Sequence, residues 1–165
     1  MKHSWSIERV GIAEAGAVAD ILQEVTDWSC RFGDPIWAPE ELALEIQQGV
    51  AAAGEQIAGF EGPAIVACMR LQRIDKLYWP DAPEGEALYL HKLAVRRASS
   101  GRGWSERMIR WAEQQCRTAG MPFLRLDTLA GTRLVSLYEQ FGFRVVDREP
   151  LLIAGHQIVR MERLL

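Results

Sequence analysis

Cysteine is scarce in this chain. Three stand in 165 residues, Cys30, Cys68 and Cys116, and no two form a CxxC pair. An odd and scattered set supports neither a disulfide framework nor a zinc site. Reduced, mostly buried thiols of a cytoplasmic protein are the expectation, with no metal. Basic charge is not in excess: 19 Lys and Arg against 22 Asp and Glu give a formal net charge of −3. Nucleic acid is therefore not an expected partner, because duplex binding needs a phosphate-neutralising face. A membrane is not one either. No apolar run approaches the ~20 residues that span a bilayer, and the opening MKHSWSIERV has no signal-peptide core. No repeat, low-complexity tract or Pro/Gly linker divides the sequence, so a single domain over residues 1–165 is expected.

Apolar residues are plentiful at 48%, beside 25% charged, a balance that lets a chain of this length bury a real core. Residues 6–10 suit a first strand. Ala17, Ile21, Leu22 and Val25 fall at helical spacing within residues 13–28, and Pro35 interrupts. A second helix is predicted to begin with Pro39 in its first turn and to run through Leu42 and Ile46 toward Gly49. Residues 56–60 and 64–74 read as a hairpin turning at Glu61-Gly62-Pro63. An aromatic loop, KLYWPDAPEGE, fills residues 76–86.

Then come a strand at 87–95, a glycine turn, an amphipathic helix at 106–118 closed by Gly120, and a strand at 123–128. Strand, crossover helix and strand in that order predict a parallel βαβ unit. A short helix at 132–140 and a strand pair at 144–146 and 156–161 finish the chain. The fold class is α+β, a mixed sheet flanked by helices.

The turn Gly101-Arg102-Gly103 lies between a strand and a helix. Glycine there permits positive φ and close approach of backbone to a ligand. The free N–H groups of the helix start would suit a pyrophosphate, with Arg96, Arg97 and Arg102 adding positive charge. A lone GxG is equally a tight bend among solvated arginines. Glu106 spoils a GxGxxG spacing, and no GK[ST] follows.

The surroundings decide more. Leu93-Ala94-Val95, the glycine turn, the helix, FLRLDT and LYEQFGF together resemble the GNAT N-acetyltransferase superfamily over residues 88–146. The resemblance implies a mostly antiparallel sheet of about six or seven strands with a splayed parallel pair and about four helices. It implies acetyl-CoA as co-substrate. The backbone of Leu93 and Val95 would pair with the pantetheine arm, with Ala94 and Arg96 also counted among the cofactor-binding residues. Ser100, Gly101, Arg102, Gly103, Trp104 and Ser105 would wrap the pyrophosphate. Ser100 stands where the family has Arg or Gln, Ser105 where it has Gly or Ala, and Gly131 where an Asn often contacts the cofactor. A homodimer rests on the resemblance alone.

Acetyl transfer to an amine needs a base for the amine and a proton donor for the departing thiolate. By the resemblance Tyr138 lies near the thioester sulfur. Its phenol, with an ordinary pKa of ~10, is protonated at neutral pH and can donate; otherwise it is a core tyrosine beside Phe141 and Phe143. His91 is the base candidate, an imidazole expected to be neutral near pH 7. LHKLAV is similar to a strand of the serotonin N-acetyltransferases whose histidines serve the amine, with Tyr89 in place of the second one. The other reading of His91 is a structural strand histidine. Glu84 and Glu86 are alternative bases or solvated loop carboxylates.

Tyr78, Trp79, Trp28 and Trp37 would line an acceptor pocket or fill core. Cys116 has no paired His and is not an expected nucleophile. The expected activity is acetyl transfer from acetyl-CoA to a primary amine of a small molecule or peptide, directly in a ternary complex. A non-catalytic acyl-CoA-binding or regulatory module is the alternative, and a protein-interaction domain a third.

Overall fold

The computed structural model describes residues 4–33 and 36–165, so the interruption expected at Pro35 lies outside the described residues. Two compact units are present. One runs to Leu71 and takes in Lys92–Met108; the other is Gln72–His91 with Ile109–Leu165. The architecture is α+β, with four α-helices and a mixed, mostly antiparallel sheet among the described residues.

In the first unit, β1 (Trp5–Arg9), β2 (Gln56–Glu61) and β3 (Ala64–Gln72) pair antiparallel in that order. Gly62, at φ 56°, makes the expected bend between β2 and β3. A single 3-10 turn, Ile12–Glu14, leads into α1 (Ala15–Cys30). Val18, Ile21, Leu22 and Val25 recur at spacings of three and four, so they share one helix face. That face packs with Leu42, Cys68 and Ala94 into a core.

The second helix differs from expectation. Pro39–Leu42 is only a 3-10 turn, Ala43 is extended at ψ 143°, and α2 is Leu44–Ala52. The break is held on both sides of Glu41. Its carboxylate accepts the Ala38 N–H at 2.8 Å, and its carbonyl accepts the Gln47 side-chain amide at 2.9 Å.

The second unit is built around β5 (Phe123–Leu129). The start of β4 (Ala87–Val95) pairs with it in parallel, Ala87 opposite Phe123. On its other side β8 (His156–Leu164) pairs antiparallel, with Asp127 opposite Arg160. β6 (Arg144–Val145) pairs with β8 as expected. A further strand, β7 (Leu151–Ile153), joins β8 through a tight turn at Ala154 and Gly155, both at positive φ. Three residues and an Ala-Gly turn are too short a signal for strand periodicity. Strand order is β1-β2-β3 in the first unit and β4-β5-β8-β6 in the second, where the start of β4 lies, with β7 on β8.

α3 (Trp104–Thr118) starts two residues before the expected position and buries Met108, Ile109, Ala112 and Cys116 as its pattern predicts. β4, α3 and β5 form the expected crossover unit. α4 (Arg133–Gln140) follows β5.

Candidate active site

The glycine turn stands in the first unit. After β4 the chain makes one 3-10 turn, Arg97–Ser99, and α3 opens at Trp104. Gly101 and Gly103 have φ of 75° and 78°, which only glycine adopts cheaply, and no atom lies within 4 Å of where a Cβ would project. The space beside both glycines is thus open, and the bend leads into the first turn of α3, where leading N–H groups have no intrahelical acceptor.

The arginines are more committed than the sequence suggests. Arg96 pairs with Glu24 at 3.0 Å and donates to the Ile65 carbonyl. Glu24 also accepts the Arg97 N–H at 2.6 Å, while the Arg97 guanidinium stacks 3.8 Å over Trp28. Arg102 pairs with Glu61 at 3.0 Å, and the other Glu61 oxygen accepts the Trp104 indole N–H at 2.8 Å. The positive charge expected beside the turn is thus partly balanced: Arg96 and Arg102 already face carboxylates. The Trp104 side chain is 1% exposed and belongs to the core, so Trp104 can meet a ligand only through its backbone.

β4 carries a distortion that sequence reasoning missed. Lys92 has φ 53°, a left-handed conformation that a residue with a Cβ adopts at a cost of about 1–3 kcal/mol. Its ammonium is anchored by Glu41 at 2.6 Å and lies 5.2 Å over Trp37. That contact holds the Glu41 carboxyl below its usual range, against the opposing effect of burial. The strain sits between His91 and Leu93, two of the expected site residues.

In the second unit His91 lies between two carboxylates that the sequence reading did not single out. Its Nε2 is 3.3 Å from Asp75 Oδ2 and its Nδ1 is 3.4 Å from Asp127 Oδ1. These are ion-pair separations rather than tight charge-assisted hydrogen bonds. The three side chains offer ligand atoms within 4.8 Å of one another. A metal, however, would need a ring lone pair, and each ring nitrogen faces a carboxylate. A neutral ring would set one lone pair against an anionic oxygen, whereas a doubly protonated ring presents an N–H to each.

Burial opposes the charge on His91, but Asp127 and Asp75 override it and raise the pKa to about 9. This corrects the expectation of a neutral imidazole at pH 7. Asp75 responds in the other sense: burial pushes its carboxyl up, and His91 with the Tyr78 N–H brings it below the ordinary value.

Tyr138 lies on α4, its ring edge-on to Phe143 with centroids 5.8 Å apart. Burial first, and the Asp127 charge second, push its phenol well above the ordinary value, so it is fully protonated near neutrality. Gly142, at φ 86°, leaves room for Arg163: a Cβ there would come within 3.1 Å of the guanidinium. Arg163 in turn donates to the Phe141 carbonyl and pairs with the buried Glu113 at 2.8 Å. LYEQFGF is therefore a packed helix ending as well as a carrier of Tyr138.

The sequence model of the acetyltransferase (GNAT) family matches residues 22–143, most of the chain. The chain belongs to that family. It is 36% identical over 137 residues to the uncharacterized N-acetyltransferase YesJ of Bacillus subtilis, covering 79% of this chain and 76% of that protein. Its fold is similar to a GNAT-family acetyltransferase of Listeria monocytogenes, with TM-score 0.79 and 20% identity over 98% of this chain and 95% of the other. It is also similar to the PaiA N-acetyltransferase of Thermoplasma acidophilum, solved in complex with coenzyme A, with TM-score 0.77 and 15% identity over 98% and 99%.

Within this GNAT chain Asp127 faces His91 at 3.4 Å, and its charge also acts on the Tyr138 phenol. Glu86 is placed otherwise. Its carboxylate accepts from the buried Arg125 at 2.8 Å, and Arg125 also pairs with Glu162 at 3.2 Å. Trp79 is 5% exposed, with the Arg125 and Arg160 guanidinium carbons 4.7 and 4.8 Å from its ring centre. It therefore fills core rather than lining a pocket. Burial raises the Cys68 and Cys116 thiols to about 12 and about 11, which suits inert side chains.

Asp127 had one legible signal: an aspartate in the interior of a strand is out of place unless it has a partner. Asp75, in a loop, had none.

Proposed function

We propose that this protein transfers an acetyl group from acetyl-CoA to a primary amine of a small molecule or peptide, directly in a ternary complex. The observation that carries the reading is the open Gly101-Arg102-Gly103 bend at the start of α3, placed where the GNAT resemblance puts the pyrophosphate. The coenzyme A bound in the similar Thermoplasma structure supports the choice of cofactor. Because Arg96 and Arg102 are engaged, backbone N–H groups from 101 to 105 are the main phosphate donors in this reading. Leu93, Ala94 and Val95 supply the backbone edge for the pantetheine arm.

The amine nitrogen attacks the thioester carbon, the C–S bond breaks, and Tyr138 protonates the leaving sulfur. A phenol kept protonated by burial suits that task. The deprotonated fraction of His91, small at neutral pH and growing toward pH 9, receives a proton from the acceptor ammonium. Of the three ammonium protons, one stays on the amide nitrogen and one passes through His91 to solvent. The third restores the phenol. Side-by-side binding supplies much of the rate, so no covalent enzyme intermediate is needed.

Solved proteins of similar fold include one named N-acetylglutamate synthase and one named ribosomal-protein-S18-alanine N-acetyltransferase, so small-molecule and peptide amines are both carried forward. The test is CoA thiol release over a panel of amino acids, aliphatic polyamines and peptide N-termini. Amine-dependent release with matching acetylated product is expected. Release from no member of the panel would count against the transferase reading.

A further inference from the structure

His91 is held from both sides, and one of the holders also reaches the proposed acid. Asp75 comes from the loop after β3, where its other oxygen accepts the Tyr78 N–H at 3.0 Å and its carbonyl accepts the Trp79 N–H at 3.0 Å. Asp127 comes from the middle of β5, opposite Arg160 on β8. Arg160 is itself committed, to Asp147 at 2.6 Å and to the Tyr78 carbonyl at 3.3 Å. The Tyr78 ring lies 6.2 Å from the His91 ring. The groups facing His91 are thus Asp75 and Tyr78 from the loop and Asp127 from β5, with Tyr138 of α4 within the field of Asp127.

We propose that Asp127, together with Asp75, is a positioning residue of the acyl transfer, clamping the His91 ring between two carboxylates in the orientation from which it takes the acceptor's proton. The assignment rests on the proposed transferase function and goes beyond it. It names which residues set the protonation state of the base. A neutral imidazole with an ordinary pKa is a weak acceptor for an aliphatic ammonium, whose pKa is near ~10. The clamp narrows that gap, at the cost that only a small fraction of His91 is free to accept at neutral pH.

On turnover the acceptor ammonium gives its proton to a ring nitrogen, which restores the imidazolium and both carboxylate contacts. That proton then leaves to solvent. The Asp127 carboxylate also disfavours ionisation of Tyr138. One carboxylate so holds both proton carriers in their protonated resting states.

The test follows the ring nitrogens of His91 by NMR against pH in the full chain, alongside the pH profile of turnover. The parent should titrate near pH 9, with turnover rising over the same range. Asp127→Asn and Asp75→Asn should each lower the midpoint by about one pH unit or more. The rising limb of turnover should move down with it, while acetyl-CoA affinity changes little. Asp127→Glu keeps the charge and should keep a high midpoint, which guards against a variant that loses activity only by misfolding.

A parent midpoint near the ordinary histidine value overturns the proposal. So does a turnover profile that ignores both carboxylates while the midpoint moves. Stoichiometric Zn²⁺ or Mn²⁺ uptake at neutral pH that perturbs His91 and is lost in both Asn variants also overturns it, because the triad would then be a metal site. A parent with no turnover on any amine overturns the transferase reading itself, and the NMR titration separates that case from the others.

Discussion

Trp104 occupies the space that a side chain at Gly59 would need: a methyl group there would sit 2.5 Å from the indole Cζ3. Gly59 lies in β2 beside a register irregularity, and the indole N–H is tied to Glu61 two residues on. Glycine in β2 and tryptophan at the head of α3 are therefore one packing unit, and that head is the end proposed to face the pyrophosphate. Gly59→Ala should force the indole to shift and should cost about 1–3 kcal/mol, the range for overpacking a full core. Denaturant unfolding measures the loss. Acetyl-CoA affinity should fall with it, beyond what the unfolded fraction explains.

Tyr138→Phe removes the hydroxyl and leaves the ring against Phe143. Turnover should fall about 100-fold or more, the usual worth of a positioned acid, with acetyl-CoA affinity nearly unchanged. Steady-state kinetics beside calorimetric binding checks this. Unchanged turnover would remove Tyr138 as the donor to sulfur.

Glu86→Gln separates a base from a brace. Glu86 balances the buried Arg125, which keeps Glu162 as its second partner. Stability should drop by about 1.5–3 kcal/mol, the scale of a charged hydrogen bond, with turnover of the folded protein within a few-fold of the parent. A collapse of turnover without a stability loss would make Glu86 the base.

His91 also links stability to pH. Its folded pKa of about 9 lies above the ordinary 6.5, so the stabilisation is complete below 6.5 and is lost as pH rises through 9. Asp75 works in the opposite direction. Its lowered pKa gives stability above the ordinary carboxylate range, and that stability is lost as pH falls. His91→Gln, uncharged at every pH, should be less stable than the parent near neutrality and should converge with it in alkali. The gap is at most about 3 kcal/mol, from the linkage of pKa to stability. Melting curves across pH test it, and a constant gap would contradict the clamp.

Much of this was legible in the sequence. Ile21, Leu22 and Val25 of the expected stripe do face the core from α1, whereas Ala17 is only half-buried and Val18 beside it takes the core position; the bounds of β4 agree with expectation. Periodicity is local information, and it served where an element is long. It failed at Pro39–Leu42, where a side chain folding back on the backbone overrides helix continuation, and at the three-residue β7.

The site divides in the same way. The glycines announced the bend, because positive φ is a property of one residue. The engagement of Arg96 by Glu24 spans 72 positions and that of Arg102 by Glu61 spans 41, so no local pattern shows them. The protonation of His91 depends on Asp75 and Asp127, 16 positions before it and 36 after, and only the fold brings them together.

The central claim is that the bend after β4 holds acetyl-CoA, and thermal unfolding in the presence of that compound tests it most directly. A ligand that binds only the folded chain stabilises it by about 2.7 kcal/mol at 100 times its Kd. The melting temperature should therefore climb steadily with acetyl-CoA concentration, and less so in a variant carrying Gly101→Val and Gly103→Val. A melting temperature that stays fixed up to millimolar acetyl-CoA would contradict the account.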